Sequence, residues 1–296
     1  MRHDAFSELH PAVELAFFTA VLTPTMICDH PAVLAISLVC AAAYAVQTAG
    51  GRAVRLILSA ALPMLLLAAL INPAFSHAGV TILCYLPSGN PLTLESILYG
   101  VAAGARFAAA LLWFYSVSRV ISSDKIVYLF GRVCPAIALL VSMTLRFVPR
   151  FHAKMGEVAD AQRMLGRDTS GGSLFSRVRA AISVVSITVT WSLENAIGTA
   201  DSMKGRGYGL RGRTAFSIYR MSERDRSVLA AVLTCAVILT GGGVAGAFAF
   251  RFFPSIRSVP QGWITAVFQA VYLVLCLVPV ILNEKEARAW KLRRLA

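Results

Sequence analysis

Apolar residues gather in long runs separated by short polar punctuation, and six of the runs are long enough to cross the hydrocarbon core of a bilayer. They cover about 11–28, 31–49, 55–72, 95–118, 228–250 and 262–282, the first interrupted by Glu14 and Pro24. Between the third and fourth lies NPAFSHAGVTILCYLPSGNPLTLES, whose Pro, Gly, Asn and Ser punctuation predicts an external loop at about 73–94. Its apolar stretch Val80–Leu86 is too short to cross as a helix and reads as a strand-like or re-entrant piece.

The stretch 119–227 is too apolar for an ordinary loop. Pro135 and Pro149 bracket IALLVSMTLRFV, a segment too short to span. Next, Phe147, Phe151, Met155, Val158 and Leu165 recur on one helical face, with Arg150, Lys154, Glu157, Asp160 and Arg163 on the other. After DTSGGS, the pattern from Leu174 to about Lys204 predicts one helix of about 30 residues, roughly 45 Å long. Its apolar centre, AAISVVSITVTWSL, has the length of a buried core helix. The expected fold is all-α and polytopic: a four-span N-terminal bundle over 1–118, a platform of helices over 119–227, and a C-terminal pair of spans with a basic tail over 228–296.

Composition agrees with this pattern. Hydrophobic residues make up 57% of the 296 positions and charged residues only 15%, against about 25% charged in a soluble domain. The net charge of +13 would point to nucleic acid in a soluble chain, but here the basic residues sit in the loops and at the end. Seventeen Lys or Arg lie between Arg119 and Arg226 and five follow Asn283, while only Arg251 and Arg257 fall on the opposite side. The positive-inside rule then puts both termini and the 119–226 region in the cytoplasm, and the partner implied is the bilayer, not nucleic acid. The opening MRHDAFSELH is polar and no cleavage site follows, so the first span is expected to be retained. None of the six cysteines forms a CxxC pair, and they read as small buried hydrophobes.

The strongest local signal is SMKGRGYGLRGRT, from Ser202 to Thr214. Gly205, Gly207 and Gly209 end the long helix and leave Lys204 and Arg206 at its C-terminus, where positive charge complements the dipole. Arg206, flanked by two glycines, has room to project either into a partner's groove or among anionic headgroups. Gly100-x-x-x-Gly104 and Gly242-x-x-x-Gly246 allow close helix packing. Arg106, inside the fourth span, needs a polar partner, for which Asn72, Gln47 and Gln269 are the candidates. Asp29, His30 and His77 could meet on the outer face as a metal site, although no spacing motif joins them. The chain has no phosphate loop, no HExxH and no GxSxG, so no catalytic residue is expected on it. A self-sufficient secondary transporter would instead want internal repeats or broken helices carrying polar groups at mid-membrane.

Four segments resemble the transmembrane T component of energy-coupling factor transporters, the EcfT (cobalt-permease Q-like) family, over nearly the whole chain. They are FSELHP, HAGVTILCYLPSGNPLTLESILYG, SDKIVYLFGRVCPAIALLVSMTLRFVPRF and LENAIGTADSMKGRGYGLRGRT. The last resembles the family's second Ala-Arg-Gly motif, with Gly205 in place of alanine, Arg206 and Gly207 retained, and Tyr208 in the aromatic-glycine sequel. The first motif corresponds to AQRMLGRD, where Met164 and Leu165 stand at the Ala and Arg positions and Gly166 is kept. Either Arg163 or Arg167 supplies the missing charge there, or Leu165 docks through apolar contact. The resemblance implies a non-catalytic coupling scaffold in the bacterial cytoplasmic membrane. Two ABC-type ATPase subunits, carrying ATP and Mg, would each receive one helix end, and a separate substrate-binding membrane subunit would deliver a vitamin or a transition-metal ion. No cofactor would be bound by this chain.

Overall fold

The computed structural model describes residues 4–76, 79–85, 91–166, 173–208, 210, 219–258 and 262–295. Among them are nine helices: α1 (Pro11–Ile27), α2 (Pro31–Ala49), α3 (Gly51–Phe75), α4 (Leu94–Val120), α5 (Ser123–Val133), α6 (Pro135–Met164), α7 (Leu174–Gly205), α8 (Glu223–Val244) and α9 (Trp263–Leu295). Two short antiparallel hairpins complete the described elements, β1 (Ile82–Tyr85) with β2 (Pro91–Thr93), and β3 (Phe250–Arg251) with β4 (Arg257–Ser258). The chain is an all-α, multi-pass membrane protein. It divides into two compact units, Met1–Lys125 with Tyr219–Ala296, and Ile126–Ile218.

Helix starts follow from local chemistry. The Nδ1 atoms of His10 and His30 accept from the backbone N–H of Ala12 and Ala32, with Pro11 and Pro31 pre-setting the first turn of α1 and α2. Ser222 and Asp225 form a reciprocal capping box, so α8 begins at Glu223, five residues before the expected start of that span. It also ends earlier than expected, at Val244. The N–H of Ala247 reaches the carbonyl of Gly242 and that of Gly246 the carbonyl of Gly243, a glycine-centred stop. Gly246 is therefore a cap and not the second half of a packing motif, whereas Gly242 lies against the ring of Phe268. The other glycine pair does pack helix on helix. A Cβ on Gly100 or Gly104 would come within 2.9 Å of the Ala68 carbonyl or 2.8 Å of the Leu65 carbonyl of α3. In α3 the Ile57–Ala61 turn is a π-helix just before Pro63, whose missing N–H makes re-registering the ladder cheap.

Among the described residues, seven helices are long and apolar enough to cross a membrane, against the six runs expected: α2, α3, α4, α6, α7, α8 and α9. The 17-residue α1 is shorter. Helix α6 is the larger departure, because it runs unbroken from Pro135 through Pro149 to Met164 and so merges the Pro-bracketed segment with the amphipathic one. One missing hydrogen bond at Pro149 is outweighed by the continuing ladder and by Phe147 and Phe151, which stack at 5.9 Å across it. Nor is α7 a core helix. Its stripe Ala180, Val184, Thr188 and Trp191 turns inward, and α6 is the helix packed against it, while Ile197 on another face is 67% exposed.

In the first unit the core is an aromatic cluster of Phe6, Phe17, Phe18, Tyr44 and Trp113, with ring centroids 5.0–6.3 Å apart. A buried hydroxyl chain joins four helices beside it. Thr25 of α1 meets Ser37 of α2 at 2.9 Å and Tyr272 of α9 at 2.8 Å, and the Trp113 indole N–H of α4 donates to Ser37 Oγ at 3.0 Å. Buried hydroxyls without partners would be costly in such surroundings, so this chain sets the relative rotation of the helices. In the loop between α3 and α4, Val80–Leu86 yields β1, the strand alternative; Leu86 itself lies outside the described residues.

Candidate functional site

The second unit carries the residues singled out by the sequence, at the C-terminal ends of α6 and α7. Helix α7 closes with a Schellman motif. The N–H of Tyr208 donates to the Met203 carbonyl at 3.1 Å and that of Gly207 to the Lys204 carbonyl at 2.9 Å, with Gly207 at φ +77°. The residue in the left-handed region is thus Gly207, and Gly205 is still helical; Gly209 lies outside the described residues. Helix α6 also ends on a left-handed glycine, Gly166 standing at φ +75° with its N–H donating to the Arg163 carbonyl at 3.0 Å. The two C-cap residues share one conformation, Leu165 at φ −84°, ψ 10° and Arg206 at φ −88°, ψ 8°. Met164-Leu165-Gly166 and Gly205-Arg206-Gly207 thus share one backbone conformation at their C-caps.

Neither cap side chain is buried. Leu165 is 72% exposed and Arg206 is exposed, which for a leucine is an apolar surface lacking cover. Of the neighbouring charges, Lys204 is 4.0 Å from Asp201 and Arg163 is 3.5 Å from Asp160, both one turn apart on an exposed face. Exposed pairs of this kind hold little energy. Arg167 lies outside the described residues, as do Arg211 and Arg213.

Upstream of these ends, α6 and α7 are locked by a contact that sequence periodicity misassigned. Lys154 belongs to the packed stripe of α6, not to its outer face. Its ammonium lies 5.5 Å above the Trp191 ring and 2.8 Å from Glu157, and Phe151 meets Trp191 edge-on at 6.4 Å. Arg150, Ala153, Lys154, Glu157, Trp191 and Asn195 line a groove of about 300 Å³ there. Met155, expected on the apolar face, is instead exposed. A lysine with a long apolar stem reads as polar in any pattern, and only its partner shows that it packs.

In the first unit, two ion pairs bear on the same question. Arg106 meets none of the three partners expected for it: it pairs with Asp29 and donates to the Cys28 carbonyl at 3.1 Å. Asp29 is so engaged and His30 caps α2, while His77 lies outside the described residues; no metal-holding cluster occurs among the described ones. Lys125, which sequence reading passed over, is buried with all three ammonium donors used. They reach Glu14 Oε1 and the Ser7 carbonyl at 2.6 Å and the Val120 carbonyl at 3.0 Å. It is the last residue of the first unit and stands in the opening turn of α5, which runs on into the second.

No protein-family model matches the chain. Among curated proteins it is similar to the energy-coupling factor transporter transmembrane protein EcfT of Lactobacillus helveticus, 37% identical over 95 residues, covering 32% of this chain and 34% of that protein. It is similar to EcfT 1 of Listeria monocytogenes at 27% identity over 168 residues, 52% of this chain and 61% of that one. It is also similar to EcfT of Bacillus subtilis, at 29% over 104 residues, 35% and 39% of the two chains. The aligned part spans between about a third and three fifths of the length of these relatives, less than the near-complete resemblance expected. By sequence, then, the chain is similar to the energy-coupling factor transporter transmembrane proteins over part of its length.

Proposed function

We propose that this chain is the non-catalytic coupling scaffold of an energy-coupling factor importer. The ends of α6 and α7 dock into two cytoplasmic ATPase subunits, one through Leu165 and one through Arg206. Closure of the ATPase pair on ATP and Mg shifts both helices as rigid bodies, and a substrate-binding membrane subunit reorients to release a vitamin or a transition-metal ion. The cytoplasm is assigned to the side of both termini on the Lys/Arg asymmetry. The observation that carries the reading is that both helices end in a C-cap of the same conformation followed by a left-handed glycine, with Leu165 and Arg206 exposed at matching positions.

Arg206 supplies the test. A headgroup contact is a point-charge interaction of about 1 kcal/mol, which Arg206→Lys would preserve. A protein socket uses the planar guanidinium fork, which lysine does not reproduce, and loss of a buried charged contact costs about 2–5 kcal/mol. Arg206→Ala is expected to abolish most uptake in vesicles and to weaken pull-down of an ATPase subunit at normal membrane levels, with Arg206→Lys recovering part of both. Full uptake with full subunit retention in Arg206→Ala would overturn the assignment.

A further inference from the structure

Helix α9 is far longer than a membrane needs, and its two tryptophans mark where the membrane lies. Trp263 to Trp290 is 28 residues, about 40 Å of helix, which matches the roughly 40–45 Å between the outer limits of the two headgroup layers. Both rings are exposed, at 78% and 49%, as rings at headgroup depth are. The turns just before Trp290 therefore lie in a headgroup layer. At that depth Arg224, Leu282, Lys285, Glu286, Ala289 and Trp290 line a groove of about 320 Å³ between α8 and α9.

We propose that this groove binds the headgroup of an anionic phospholipid. Its two cations are placed differently. Arg224 donates to Glu286 Oε2 at 3.1 Å, which ties the start of α8 to α9 and neutralises the one carboxylate of the groove. Lys285 has no carboxylate partner among the described residues and is exposed, so its charge faces the groove's solvent side undiminished. Four N–H donors of Arg224 remain for phosphate oxygens. Leu282 and Ala289 supply an apolar wall for the glycerol and first acyl carbons, with Trp290 at the rim. The surrounding field has the right sign: segments 220–226 and 283–294 hold eight Lys or Arg against four Asp or Glu. A phospholipid, not an acidic protein, is favoured because the groove sits at headgroup depth, where lipid is the surrounding solvent.

The full chain in mild detergent, titrated with phosphatidylglycerol or phosphatidylcholine and read by native mass spectrometry, tests this. Phosphatidylglycerol should be retained preferentially. At about fivefold per basic residue near a lipid surface, Arg224→Gln with Lys285→Gln should lower its retention roughly 25-fold, and the charge-keeping Arg224→Lys with Lys285→Arg should retain it. Brominated phosphatidylglycerol should quench a fluorescence component that Trp290→Phe removes. Equal retention of the two lipids, or an unchanged preference in the Gln pair, overturns the proposal, as does loss of the preference in the charge-keeping pair. Displacement by millimolar inorganic phosphate would reduce the groove to a simple anion site, and loss of a co-purifying subunit with lipid retention intact would make it a protein contact; either result overturns the lipid assignment.

Discussion

Lys125 shows how much one side chain can hold. Its ammonium joins the N-terminal segment through Ser7, α1 through Glu14 and the end of α4 through Val120. Removing one partner of a buried pair leaves the other charge uncompensated, at about 3–5 kcal/mol, whereas removing both with apolar residues is often neutral. Lys125→Met should therefore lower the thermal midpoint in detergent sharply, and Glu14→Leu combined with Lys125→Met should restore most of it. A double variant as unstable as the single one would show that the pair acts through something other than charge. Under the proposed function, Leu165 at the cap of α6 is the residue that meets an ATPase subunit through apolar area. Burying a leucine is worth about 1.5–3 kcal/mol, so Leu165→Ala should weaken retention of one ATPase subunit; undiminished retention would transfer the contact to Arg163 or Arg167, each to be tested singly.

The helix ends divide their glycines into two kinds. Gly166 and Gly207 stand in the left-handed region, where a Cβ costs about 1–2 kcal/mol. Gly205 is helical with open space around its Cβ position, and there Gly→Ala gains roughly 0.5–1 kcal/mol. Gly207→Ala should thus destabilise the end of α7 and re-aim Arg206, lowering uptake, while Gly205→Ala should stabilise α7 and leave uptake intact. Equal effects of the two substitutions would contradict the cap geometry. Between α3 and α4 the demand is for closeness, not dihedral freedom. With 2.8 Å from a Gly104 Cβ to the Leu65 carbonyl, Gly104→Val should force the helices apart and cut the yield of folded protein seen by size exclusion.

For the molecule as a whole, the placement of basic residues makes a topological claim. Cysteines introduced at Ser88 and Ser170, both in segments outside the described residues, should label from opposite sides of the membrane, Ser88 from outside and Ser170 from inside. Labelling from one side would end the assignment of both termini to the cytoplasm. The chain purified free of other subunits should also hydrolyse no ATP, because it carries no phosphate loop.

What the chain reveals by itself is whatever depends on near neighbours. The apolar runs, the extent of α7, the glycine stops after Leu165 and Arg206 and the tight Gly100–Gly104 face all follow from helical period, Pro and Gly stereochemistry and residue volume within a few positions. Even there, a proline was read as a boundary where α6 simply continues, because the gain from packing Phe147 and Phe151 on both sides of Pro149 is not a local property. What only the tertiary structure decided are the partners of charges. Lys125 finds Glu14 across 111 positions and Arg106 finds Asp29 across 77, passing over nearer polar candidates. Lys154 turns inward because Trp191 of another helix offers its ring face. A buried charge is satisfied by whatever the fold brings within about 3 Å, and that distance is set by helix packing, on which sequence separation has no bearing.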